Sequence, residues 1–305
     1  MKPETQSFYL AAVQTALGRV VANLDEALDL GLLARAAALS PFHFHRIFRG
    51  MIGETPLELQ RRLRLERAAF QLFAPDAAVT TIAFSAGYES HEAFTRAFRA
   101  AYGCSPSEYR QARRAERASC VRAPQIEIAA RCSIHFRPEG SREPFIIDQG
   151  AAMNVTIKQM PELRTATVHH VGAYSRISDA FARLGALAGP AGLITGKPTM
   201  LAIYHDDPET TPESELSSDA ALVVAESSPI PKGLGEQRLA AGRYACASYV
   251  GPYEQLGDAW ARFMGQWLPQ SGERLTDGTS FEIYLNTPMD VPKEELQTEL
   301  YIPLA

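Results

Sequence analysis

Cysteine is scarce in this 305-residue chain. Cys104, Cys120, Cys132 and Cys246 stand far apart, with no CxxC pair and no histidine at ligand spacing. That argues against a disulfide frame or a zinc site and suits a reducing compartment with free thiols. No apolar run reaches transmembrane length, so no membrane span is expected. The start, Met1-Lys2-Pro3-Glu4-Thr5, leads into an amphipathic segment and not a continuous apolar one, which argues against a secretory signal. Low-complexity runs are missing. With 46% hydrophobic and 21% charged residues, the composition is that of a folded chain. A cytoplasmic protein of two domains, with no membrane partner, is the expectation.

Lysine is nearly absent from the first 120 residues. Lys2 stands there alone beside 14 arginines. That stretch carries 15 Lys and Arg against 12 Asp and Glu, while the whole chain has a net charge of −5. An arginine-rich basic half joined to an acidic half suggests an anionic partner for the first and a cationic ligand for the second. Uneven surface charge alone also produces such a difference.

The first half repeats itself at an offset of 50. Leu39-Ser40-Pro41-Phe42-His43-Phe44-His45-Arg46-Ile47-Phe48-Arg49 aligns with Glu89-Ser90-His91-Glu92-Ala93-Phe94-Thr95-Arg96-Ala97-Phe98-Arg99. Each copy reads as helix, tight turn, helix. Ser40 and Ser90 are N-caps, and Gly53 with Pro56, or Gly103 with Pro106, provide the stop. Phe44, Ile47, Phe48 and Met51 form one apolar stripe; Phe94, Ala97, Phe98 and Ala101 form the other. The opposite stripes are Phe42, His45, Arg46, Arg49 and Glu92, Thr95, Arg96, Arg99. A helix fits the major groove, where Arg pairs with guanine, Thr meets thymine and Glu accepts from cytosine. Arginines on one helix would be an ordinary solvated face; the same pair in two copies points to DNA. His43, His45 and His91 lack the Cys or carboxylate company of a metal site.

The run Ile82-Ala83-x-x-Ala86-Gly87-Tyr88-x-Ser90, continuing through Phe94, Arg96, Phe98, Arg99, Tyr102-Gly103, Ser105-Pro106 and Tyr109-Arg110, resembles the signature of the AraC/XylS transcription regulators. The resemblance implies an all-α domain over residues 1–115, two helix-turn-helix lobes joined by a linker helix near residues 56–68. It places base reading on Phe42, His45 and Arg46 in the first lobe and on His91, Glu92, Thr95 and Arg96 in the second. Glu92 departs from the family in character. Arg61, Arg62 and Arg110 would reach phosphates, which position but do not specify. One chain could then read two groove segments about 34 Å apart.

Residues 116–152 read as a linker. Gln125–Ile128 and Cys132–Phe136 alternate like short strands before Pro138, Gly140 and Pro144.

A second duplication occupies 153–305, at an offset of 79. Ala166–Arg183 aligns with Ala245–Arg262, including Val171-Gly172-x-Tyr174 against Val250-Gly251-x-Tyr253. Each unit reads strand, Gly turn, amphipathic helix, strand, strand. Two βαββ units predict an α+β domain with one antiparallel sheet, two helices and a cleft near the pseudo-twofold axis. Glu282 stands where the first unit has Ala202. Pattern alone leaves it either in a cleft among Tyr204, Tyr253, Trp260 and Tyr284, or at the surface or paired with an Arg. His169 and His170 point to opposite faces of a strand and read as structural.

This half resembles the GyrI-like small-molecule-binding domain through its paired Val-Gly-x-Tyr motifs, Phe281–Asn286 and the closing Glu299–Leu304. The resemblance implies a cleft for lipophilic, often cationic or aromatic molecules. It implies Glu282 as the acidic contact, with Tyr174, Tyr204, Tyr253, Trp260 and Tyr284 around it. With the DNA-binding module first, the order is similar to the Rob type of regulator. The expected function is effector-controlled transcription regulation on an operator duplex, with contact to RNA polymerase as a further partner and no metal or cofactor. Two alternatives remain: a GyrI-like hydrolase using Glu282 and a Tyr, or a protein-binding module with no small ligand.

Overall fold

The computed structural model describes residues 3–74, 77–116, 128–129, 135–136, 153–206 and 211–305. The N-terminal domain is helical: α1 (Pro3–Ala22), α2 (Leu30–Ala36), α3 (Pro41–Ile52), α4 (Pro56–Gln71), α5 (Val79–Ser85), α6 (His91–Tyr102) and α7 (Pro106–Glu116). The two reading helices end as their sequences dictate. Ser40 Oγ accepts from His43 N–H and Ser90 Oγ from Ala93 N–H. Gly53 and Gly103 close them in the left-handed region, at φ 81° and 75°. Thr55 and Glu58 form a full capping box at the start of α4.

The turn inside each lobe needs one left-handed residue. In the second lobe it is Gly87, at φ 81°; in the first it is Ala38, at φ 54°. The hydrogen bonds around them correspond: Leu39 N–H donates to Ala34 O, and Tyr88 N–H to Ala83 O. Ala34 and Ala83 stand 49 positions apart and Ser40 and Ser90 stand 50 apart, so the second turn carries one residue more.

The lobes have different surroundings. Leu65, Ala68, Ile82, Phe94 and Phe98 form the second lobe's own core. The first lobe's core is shared. Tyr9, Leu17, Phe44, Ile47, Phe48 and Met51 pack in one cluster with Ala245, Tyr249, Trp260, Phe263 and Met264 from the C-terminal domain.

The 116–152 segment lies outside the described residues, apart from its first residue in α7 and two short strands. Those are β1 (Ile128–Ala129) and β2 (His135–Phe136), paired antiparallel. Cys120 and Cys132 are outside as well.

The C-terminal domain has a first unit of β3 (Val155–Met160), β4 (Leu163–Val171), α8 (Ile177–Ala188), β5 (Met200–Tyr204) and β6 (Ser217–Val223). The second has β7 (Gly235–Leu239), β8 (Gly242–Val250), α9 (Leu256–Arg262), α10 (Leu268–Ser271), β9 (Phe281–Tyr284) and β10 (Gln297–Leu304). All eight strands join one antiparallel sheet in the order β3-β8-β10-β9-β5-β6-β4-β7. Each unit thus has one strand more than the βαββ pattern, and that strand pairs in the other unit. β3 lies on β8 and β7 on β4. The pseudo-twofold axis runs between β5 and β9, where Ala202 faces Glu282. Between α9 and α10 the helix widens into a π-helical turn over Phe263–Trp267; α8 is regular throughout. No helix among the described residues is long and apolar enough to cross a membrane.

Candidate effector cleft and nucleic-acid interface

Glu282 sits on a central strand and is 2% exposed. A carboxylate there is tolerable only if it is partnered. Trp260 Nε1 donates to Oε1 at 2.5 Å and Tyr284 OH donates to Oε2 at 2.8 Å. Tyr204 OH lies 3.2 Å from Tyr284 OH. Burial pushes the Glu282 carboxyl up; these donors and the nearby Arg46 guanidinium pull it back. The same burial, with Glu282 beside them, raises the Tyr204 and Tyr284 phenols well above their ordinary range.

Aromatic rings line the surrounding wall. Tyr253 meets Tyr284 edge-on at 5.2 Å, Phe181 meets it at 5.6 Å, and Tyr174 meets Tyr204 at 4.7 Å. Tyr174 OH donates to Asp206 O at 2.6 Å, which ties the β5 end to the helix start. All six residues expected around the cleft therefore converge, and Phe181 joins them.

A side chain from the other domain reaches this group. Arg46, on α3, stacks its guanidinium between Phe42, at 4.1 Å, and Trp260, at 4.2 Å. Glu282 is thus buried among these rings, with the Arg46 charge near it. Next to Arg46, His45 is 5% exposed and Arg49 bridges to Asp258 at 2.9 Å. Gly50 lets the helices touch backbone to backbone, since a Cβ there would come within 2.6 Å of Gly265 Cα. A cleft of about 460 Å³ opens alongside, between Ser40–His43 of α3 and Tyr204–Asp206, Asp277 and Ser280.

The GyrI-like small molecule binding domain family matches residues 153–305, half of the chain, and a helix-turn-helix domain family matches residues 33–112. The chain belongs to the AraC-type regulators that carry a GyrI-like domain.

Individual proteins are similar to part of the chain. A DNA gyrase inhibitor of Yersinia enterocolitica is 39% identical over 90 residues, 28% of this chain and 57% of that protein. Regulatory protein SoxS of Salmonella typhimurium is 31% identical over 98 residues, 32% of this chain and 92% of that one. The solved EcmrR C-terminal domain is 21% identical, covers 51% of this chain and 99% of its own, and has a TM-score of 0.45.

The family's two reading helices have opposite fates here. On α6 the side chains of Glu92, Arg96 and Arg99 are exposed, with His91 and Thr95 half-buried. Glu92 caps its own helix end: backbone and Ser90 hydrogen bonds hold its carboxyl below the usual range. On α3, Arg46 and Arg49 meet the GyrI-like domain, and His45 is buried. Of the expected phosphate contacts, Arg61 is exposed. Arg62 is engaged by Glu54 at 2.9 Å and Glu66 at 2.6 Å, and Arg110 donates to Leu72 O and Ala77 O. Arg62 and Arg110 thus brace the linker helix and second lobe.

Sequence reasoning missed one further cluster. His169 on β4 and His205, just past β5, flank Asp219 on β6. The alternation of His169 and His170 was legible; the pairing of β4 with β6 that supplies Asp219 was not.

Proposed function

We propose that this DNA-binding regulator is controlled by a small lipophilic cation, aromatic in part, held at Glu282 within the ring of Tyr174, Tyr204, Tyr253, Trp260 and Tyr284. One observation carries the reading. A fully buried carboxylate accepts from the edge of an indole whose face already stacks a guanidinium. Only a cation gains from both groups, with about 2 kcal/mol from a desolvated cation–π contact. On DNA, Arg46 and Arg96 would read bases with Phe42, His45, His91, Glu92 and Thr95. Arg49, Arg61 and Arg99 would add charge toward phosphates, and RNA polymerase would be met by the assembled complex.

The hydrolase alternative asks Glu282 to act as a base beside a Tyr. Both its oxygens already accept hydrogen bonds, which suits a counter-ion better than a base. The test is titration of Trp260 and Trp267 fluorescence with tetraphenylphosphonium, in the full chain and in Glu282→Gln. Saturable quenching that the variant loses is expected. Equal responses in both proteins, or none, would overturn the cation reading, and turnover of a bound ester would restore the enzyme.

A further inference from the structure

The surface that α3 would offer to DNA is the surface it buries here. Phe42 and Arg46 stack toward Trp260, Arg49 is paired with Asp258, and Gly50 lies against Ala261 and Gly265. A major groove about 12 Å wide takes one helix with its side chains and has no room for a second element. The first lobe, so placed, reads no bases. The second lobe keeps Glu92, Arg96 and Arg99 exposed.

The duplication shows that this seat is built into one unit alone. The offset grows from 79 at Arg262 to 80 at Glu282, and Gly265 lies within the stretch that gains the residue. Gly265 stands in the π-helical turn, and α8 has no such turn. A Cβ at Gly265 would reach to 2.7 Å of Met51 N and closer still to Gly50. Widened turns of this kind gather at functional sites.

We propose that α3 is an internal ligand of the effector cleft, with Arg46 standing in for the effector's charge, so that docking there shuts off base reading by the first lobe. A cation that takes the Trp260–Glu282 position displaces Arg46 and frees α3 for the groove. That last step rests on the cation reading above; the autoinhibition does not. By linkage, the factor by which effector tightens DNA binding equals the factor by which DNA tightens effector binding. A docked population of nine in ten or more makes that factor about ten or larger.

The perturbation belongs in the C-terminal domain, away from every DNA-facing residue. Gly265→Leu wedges α3 outward. Asp258→Arg, at a position 68% exposed, sets a like charge against Arg49 without touching the core. The probe is a fluorescein-labelled 30-base-pair duplex enriched from a random pool on the full chain. Both variants, checked for folding by circular dichroism, are expected to bind it at least tenfold more tightly, with faster hydrogen exchange over residues 41–52. Wild-type affinity in two folded variants would overturn the proposal. Tetraphenylphosphonium separates the two ideas. If it quenches Trp260 but leaves duplex affinity unchanged while the variants bind more tightly, the autoinhibition stands and the displacement of Arg46 by the cation falls. If the variants bind more tightly while the cation does nothing, the autoinhibition stands and the effector is of another class.

A different observation carries a second site. His169 Nδ1 lies 2.8 Å from Asp219 Oδ1, and His205 Nε2 lies 2.5 Å from Oδ2. Ligand atoms of all three residues lie within 4.8 Å of one another. Strand register fixes the set: His169 is opposite Asp219, and His205 follows two residues after its other partner, Ile203. Two imidazoles and a carboxylate suit zinc, nickel, cobalt or copper, whereas calcium and magnesium prefer all-oxygen shells. We infer that these residues hold an exchangeable divalent transition metal, with a coordination position open toward solvent. The untagged, chelator-stripped full chain should bind one Co²⁺, read by its visible absorption, and Asp219→Asn and His169→Ala should each weaken it at least tenfold. Unchanged binding in both variants, or no absorption in the wild type at millimolar Co²⁺, would refute the site.

Discussion

Acidification should loosen the docked helix through one imidazole. His43, on the first turn of α3, is 8% exposed. Burial, reinforced by Arg46 and opposed by Asp277, lowers its pKa from 6.5 to about 4. The folded protein therefore keeps this ring neutral while the unfolded chain protonates it. For a histidine with a lowered folded value, its contribution is complete above pH 6.5 and lost as pH falls toward 4. Linkage between those two values makes the loss about 0.2 kcal/mol at pH 7 and about 2 kcal/mol at pH 5. Other groups titrate in the same window, so the informative quantity is a difference. Urea unfolding of the wild type and His43→Gln, from pH 7 to pH 5, should give stabilities whose difference shifts by nearly that amount against the wild type. A difference that moves by less than about 0.5 kcal/mol would refute the buried neutral imidazole, and with it the seating of the α3 N-terminus.

Three further outcomes follow from the geometry. Arg46→Met and Glu282→Gln each leave a buried charge short of its partner and should cost about 1–3 kcal/mol, while the double variant costs clearly less than the sum; additivity in a urea-unfolding cycle would mean the two charges do not communicate. Ala38→Gly removes a left-handed alanine and should raise stability by a net of about 0.5 kcal/mol, seen as a higher urea midpoint, whereas a lower midpoint would show the turn is unstrained. Arg96→Ala should cost about 1–3 kcal/mol on a preferred duplex and blur one base position, while Arg61→Ala should weaken all duplexes alike and lower the salt slope by about one, as fluorescence anisotropy at several salt concentrations would reveal.

The local architecture was legible because it is written in short-range signals. Ser40, Ser90, Gly53 and Gly103 mark helix ends by the hydrogen bonds and dihedrals they alone supply easily, and the structure places each at its cap. The two repeats gave the domain plan. The odd residue of the sheet was legible through a single broken symmetry, Glu282 in place of Ala202. Long-range placement was not. Arg46 reads as a solvated or DNA-facing residue on its own helix, and nothing within several turns of it announces Trp260, more than 200 positions away. Gly50 looks like an ordinary helix glycine until Gly265 is set against it. Arg62 and Arg110 belonged to a cationic surface by composition. Their partners, Glu54 with Glu66 and the carbonyls of Leu72 and Ala77, depend on how α4 to α7 fold back on one another.

The crossed edge strands bear on how the GyrI-like domain can be divided. β3 completes the sheet of the second unit and β7 that of the first. Severed at the Ser228–Gly233 bend, each fragment would keep a strand it cannot use and expose the edge its counterpart should cover. Neither would be a half-domain; mixed together, they could restore the sheet. A single ancestral unit would face the same shortage and meet it by exchanging strands with a second copy, as domain-swapped dimers do. Joining two such copies in one chain would free one unit to lose its strict likeness to the other. That freedom is where Glu282 and the Gly265 turn could arise without disturbing the sheet.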